Sequence, residues 1–174
     1  MKPAIPSKKD MLEIVRTLKT LYPEDSIEIM NEDAITTTLE TTAHAIKYLR
    51  NTTTNEEDLT AIAAASILRY TVLNHPLTDG NKKLGAAAAA LTLIMNGYHA
   101  NEALLACLSL LTAMNKTTLQ ETINKIRENL NKTNTPPNTN PLKETIKKIK
   151  PHWDTLRKYD KNKATLKDIC KTPT

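Results

Sequence analysis

The chain has 174 residues with no Phe, one Trp and three Gly, and a formal charge of +5. That length is enough for one domain to bury a core, which must be built from Leu, Ile and Ala, and so few glycines exclude a turn-rich β protein. The charge is uneven: residues 142–174 hold ten Lys and Arg against four Asp and Glu, and the rest fourteen against fifteen. A nucleic-acid binder of the uniformly basic kind is therefore excluded, and only the tail offers a basic patch.

In chain order, Ser7 followed by Asp10 reads as an N-cap with an acid in the first turn. Met11, Ile14, Val15, Leu18 and Leu21 follow at helical spacing until Pro23. Ser26 to Met30 reads as a short extended or irregular piece. Asn31 opens a second helix with Ile35, Leu39, Ala43, Ile46 and Leu49 on its apolar side, and His44 within it is read as structural. After a polar loop, a capping box at Thr54 and Glu57 opens a third helix through Leu59, Ile62, Ile67 and Leu73 to Asn74. The run from Leu84 to Met95 has no polar face, so it predicts a buried central helix closed by Gly97. Asn101 and then Thr117–Thr118 open two more, the last carrying Leu119, Ile123, Ile126 and Leu130 on one stripe.

Composition then divides the chain. Residues 1–131 read as the folded domain and 132–141 as a semi-rigid Pro/Asn/Thr linker. Residues 142–174 read as a basic helical extension separable from it. In the extension, Leu142, Ile146 and Ile149 form a stripe that Pro151 breaks, and Trp153, Leu156 and Tyr159 suggest a second short helix. The fold class is all-α.

Between the third helix and the central one stands His75-Pro76-Leu77-Thr78-Asp79-Gly80-Asn81-Lys82-Lys83. Pro76 ends the first helix near His75, and Gly80 permits the backbone angles of a tight turn. The amides opening the next helix form an anion site to which two lysines add charge. Neutral imidazole is a competent base near pH 7, and Asp79 is placed to hold a divalent cation on a nucleotide. Spacing alone leaves an ordinary polar interhelical turn equally open.

This stretch resembles the signature of the Fic/Doc superfamily, H-x-F-x-D/N-A/G-N-G/K-R, with Leu77 in place of Phe and Lys83 in place of Arg. The likeness extends upstream through Ala61–Ala65 and downstream to Asn96-Gly97-Tyr98. It implies a Fic/Doc-like helical bundle in which His75 deprotonates a Ser, Thr or Tyr hydroxyl of a target protein. Asp79 would bind Mg²⁺ or orient the leaving group, and Thr78, Gly80, Asn81, Lys82 and Lys83 would hold the phosphates of ATP. Lys82 stands where relatives that transfer AMP usually have Gly and the Doc (death-on-curing) branch has Lys. The resemblance therefore implies transfer of the γ-phosphate, with AMP transfer as the alternative. It also implies a toxin acting on translation machinery and held by a small antitoxin partner. The nearest fits to the inhibitory S/T-x-x-x-E-G/N pattern, Thr20 to Glu24 and Thr36 to Glu40, end on Asp25 and Thr41. A non-catalytic Fic-like module whose basic tail binds nucleic acid or a protein is the other class kept open.

Cys107 and Cys170 read as one core thiol and one tail thiol, neither a disulfide framework nor a metal motif. Residues 1–10 lack the apolar run of a secretory signal, and Leu84–Met95 is too short to span a bilayer. The expected location is the cytoplasm, with no membrane contact.

Overall fold

Five of the helices, α1, α2, α3, α5 and α6, begin where a short polar side chain takes up amides that no preceding turn can satisfy. The computed structural model describes residues 2–53, 55–134, 141–157 and 170. Helix α1 (Lys8–Leu21) opens on a capping box between Ser7 and Asp10, and α2 (Glu32–Leu49) opens on Asn31. A single 3-10 turn, Arg50–Thr52, follows α2. Helix α3 (Glu56–Asn74) is capped by Asn55, whose side chain accepts the Glu57 amide. The cap therefore falls on Asn55 and not on Thr54, which lies outside the described residues. Helix α4 (Asn81–Met95) has Gly80 at its N-cap and no side-chain cap. Asn101 opens α5 (Glu102–Ala113), and a Thr118–Glu121 capping box opens α6 (Leu119–Glu128). Helix α7 (Pro141–Arg157) completes an all-α fold. The described residues contain no strand, only two isolated bridges, Ile29 with Leu77 and Tyr98 with Lys132.

Helices α3 and α4 share the centre. Both are buried around most of their circumference: α3 from Leu59 to Leu68, and α4 from Lys83 to Leu93. The sequence gives α4 no polar face, whereas the full burial of α3 is a property of its neighbours, α2 and α6 on its flanks and α4 beside it. Alanines and Gly85 let the two axes approach. A Cβ on Gly85 would come within 2.9 Å of Val72 Cγ2 and 3.0 Å of the Leu68 carbonyl.

The extension does not stand apart from the domain. Helix α7 packs on α4, α5 and α1, and Ile146, Ile149, Trp153 and Leu156 join the same core cluster. Pro151 lies inside α7 instead of ending it, and its carbonyl accepts the Thr155 hydroxyl at 3.1 Å. The expected break is therefore absent, because burial of the apolar face on both sides of Pro151 outweighs the loss of one backbone bond. Of the second stripe, Trp153 and Leu156 lie on α7 and Tyr159 is outside the described residues. The first residues given to the linker also belong to the fold: Thr133 donates to the Gly97 carbonyl at 2.9 Å, next to the Tyr98–Lys132 bridge.

The cysteines are corrected as well. Cys107 and Cys170 form a disulfide with Cα atoms 5.5 Å apart, within the usual range for the bond. Their sequence separation of 63 places the pairing beyond any local pattern. Beyond α4, Tyr98 is buried and its phenol is pushed up from 10.0 by loss of water, with Glu57 and Glu56 adding to the shift. No helix among the described residues is long and apolar enough to cross a membrane.

Candidate active site

Helix α3 ends at Asn74, and His75 adopts the left-handed conformation, φ 47° and ψ 59°. Non-glycine residues take this conformation at a cost of about 1–2 kcal/mol, so the surrounding contacts must hold it. Gly80, at φ 86°, makes the second reversal and starts α4. Between them Leu77 is 1 % exposed and anchors the turn in the core. The side chains of His75, Thr78 and Asp79 reach the surface, whereas Gly80, Asn81 and Lys83 are buried and Lys82 is half-buried.

Asn81 clamps the turn. Its Oδ1 accepts the Leu77 amide at 2.9 Å and its Nδ2 donates to the Leu77 carbonyl at 2.9 Å. These two bonds fix the orientation of the amide, whose nitrogen also lies 3.3 Å from His75 Nδ1. An amide nitrogen can only donate, so Nδ1 is the acceptor and the hydrogen of the neutral ring sits on Nε2. The sequence reading gives Asn81 to the phosphates; the structure gives its side chain to the turn and to His75.

Two further assignments change in the same way. The Thr78 hydroxyl donates to the Ser26 carbonyl at 2.6 Å and accepts the Glu28 amide at 3.1 Å, so it ties the turn to the α1–α2 connection. Lys83 pairs with Asp25, each side chain about 10 % exposed, and its Nζ lies 4.5 Å from the centre of the Tyr22 ring. A buried ammonium is costly without a partner, and Asp25 supplies one. The Lys83 cation is therefore directed inward and not at a phosphate above the turn.

What remains at the surface is a compact set. The first intrahelical bond of α4 runs from the Leu84 amide to the Gly80 carbonyl, 2.8 Å. The amides of Asn81, Lys82 and Lys83 precede it, where a helix concentrates partial positive charge. Asp79 Oδ1 accepts the Gly80 amide at 2.7 Å, so this carboxylate sits at the helix start and takes Gly80 out of any amide cradle. Ser109 on α5 donates to the Lys82 carbonyl at 2.6 Å and so supports the first turn from behind. No group of three or more His, Cys, Asp or Glu among the described residues could hold a metal.

The sequence offered no sign of Tyr22, Asp25, Ser26 or Glu28, which lie about fifty residues earlier and complete the turn. The only local signal was the short extended reading of Ser26–Met30. No protein-family model matches the chain, and neither a curated protein nor a solved structure matches it.

Proposed function

We propose that the turn His75–Lys83 is a phosphoryl-transfer site of the Doc kind, moving the γ-phosphate of ATP to a hydroxyl on a target protein. The observation that carries the reading is the joint exposure of an imidazole and a carboxylate at the uncapped start of a buried helix. Phosphoryl transfer needs little from a protein beyond positioning and charge, and this inventory supplies both.

The residues fit ATP with Mg²⁺ in part. The first-turn amides and the α4 dipole suit phosphate oxygens, and Lys82 lies in the same turn of the helix. Asp79 suits Mg²⁺, which commonly binds one or two carboxylates together with phosphate oxygens, and the metal would offset charge on the transferring group. Thr78, Asn81 and Lys83 act on the shape of the turn. His75 removes the hydroxyl proton. Its lone pair at Nδ1 faces Asn81, so either the hydroxyl replaces that contact or the ring exchanges tautomers to offer Nε2. Ile29 and Met30 are exposed beside the turn and give a protein substrate an apolar rim. Toxin action on translation machinery and restraint by an antitoxin belong to the same reading and rest on the signature alone.

The test uses the full chain, Mg²⁺ and a cell lysate with ATP labelled at the α or the γ position. Label entering protein from γ alone, and lost with His75→Ala, is the expected result. Label from the α position means AMP transfer. Absence of transfer from either, with salt-sensitive binding to nucleic acid, supports the non-catalytic module instead.

A further inference from the structure

The turn is built against a second segment of the chain, residue by residue and in antiparallel order. Asp25 pairs with Lys83. The Ile27 side chain lies 3.2 Å from where a Cβ on Gly80 would stand. Thr78 exchanges bonds with Glu28 through its amide, at 2.9 Å, and its hydroxyl, at 3.1 Å. Ile29 forms a bridge with Leu77, and the amides of Met30 and Asn31 both donate to the Pro76 carbonyl, at 2.9 and 3.2 Å. Residues 25–31 thus run alongside 83–76 with one contact at nearly every step.

We infer that Asp25 is a positioning residue of the site: by pairing with Lys83 it locks this register, and so sets where α4 begins and where its first amides point. This deepens the phosphoryl-transfer reading and rests on it for its consequence, though not for its geometry. The pair is an ionic contact, at the end of the ladder where the turn enters α4. The contacts named from Ile27 to Asn31 are hydrogen bonds and van der Waals packing. Both charges are about nine-tenths buried, so neither can leave without stranding the other in a medium that solvates it poorly. Lys83 is further held over the Tyr22 ring, which also lies 5.4 Å from Lys150 Nζ on α7. The cation at position 83 therefore belongs to the support of the turn, and the first-turn amides of α4 are what it aims.

Amide exchange and ATP titration calorimetry on the full chain test this together. Asp25→Asn and Lys83→Met should each speed exchange of the Leu77 and Thr78 amides at least tenfold, while the α3 amides of Ile67 and Leu68 report that the core is intact. Both variants should also weaken ATP binding. The exchanged pair, Asp25→Lys with Lys83→Asp, should recover amide protection to within about threefold and recover ATP affinity with it. If the single variants leave Leu77 and Thr78 protected, Asp25 does not position the turn. If the exchanged pair recovers protection but not ATP affinity, Lys83 is a phosphate ligand and the inference is overturned. Wild-type chain that binds no ATP would remove the transfer reading, while the exchange data would still decide the role of Asp25.

Discussion

At the scale of single residues, the site is defined by side chains kept in places their own preferences oppose. His75 carries its ring at a left-handed backbone position where glycine would be at ease. The strain of about 1–2 kcal/mol is partly offset in a His75→Gly variant by the greater freedom of glycine in the unfolded chain. His75→Gly should therefore be at least as stable as wild type, and His75→Val should lose about 1–2 kcal/mol because a β-branched residue fits this conformation poorly. Both should be inactive in the labelling assay. Denaturant unfolding checks the stabilities. A glycine variant more than 1 kcal/mol weaker than wild type would mean that the ring's contact with Asn81 matters more than the backbone strain. The exposed and buried members of the turn show how far a sequence can be read here. Pro76 and Gly80 act on their own neighbours, so the helix exit and the reversal were legible. The direction taken by Lys83 was not, because it depends on Asp25 and Tyr22, which no local rule connects to residue 83.

At the scale of helices, caps and stripes account for most boundaries, and close approach accounts for the centre. Ser7, Asn31, Asn101 and Thr118 each mark a helix start that the residue type announces. Pro151 is the counter-example. Proline reads locally as a breaker, yet α7 continues through it because Ile149 and Trp153 are buried on either side. The α3–α4 contact is set by volume and not by pattern, and Gly85 tests it. Alanine there gains about 1 kcal/mol in helix propensity. Its methyl group would lie 2.9 Å from Val72 Cγ2 and 3.0 Å from the Leu68 carbonyl, and the second of these atoms is backbone and cannot turn aside. Overpacking of this kind costs about 1–3 kcal/mol, so Gly85→Ala should lower Tm by a few degrees despite its better propensity. Adding Val72→Ala should return only part of the loss, since the carbonyl contact stays. A Tm at or above wild type would mean that α3 and α4 separate freely, and that the support of α4 beneath the turn is looser than its burial implies.

At the scale of the whole molecule, the question is whether residues beyond the Pro/Asn/Thr stretch are an appendage or a wall of the core. Composition favours an appendage, since the segment is basic and follows prolines. Burial favours a wall. Ile146, Ile149, Trp153 and Leu156 are 1 %, 3 %, 5 % and 6 % exposed and cover α4 and α5. At about 1.5–3 kcal/mol for each buried apolar side chain, these four contribute on the order of 6–12 kcal/mol, comparable to the whole net stability of an ordinary domain. The Cys107–Cys170 disulfide adds a constraint on the unfolded chain, since closing a loop of 63 residues is worth roughly 4 kcal/mol in the chain-entropy picture. Two results are expected. A chain truncated after Lys132 should lose cooperative unfolding and bind a hydrophobic dye, because the α7 faces of α4 and α5 are laid open. Reduction of the intact chain should lower Tm by several degrees without that loss, because α7 stays docked through its apolar face. The two effects are separable by thermal scans with and without reductant on both chains. If the truncated chain still melts cooperatively within a few degrees of the full one, α7 is dispensable. The contact of Lys150 with Tyr22 would then be a passing one and no part of what holds the turn.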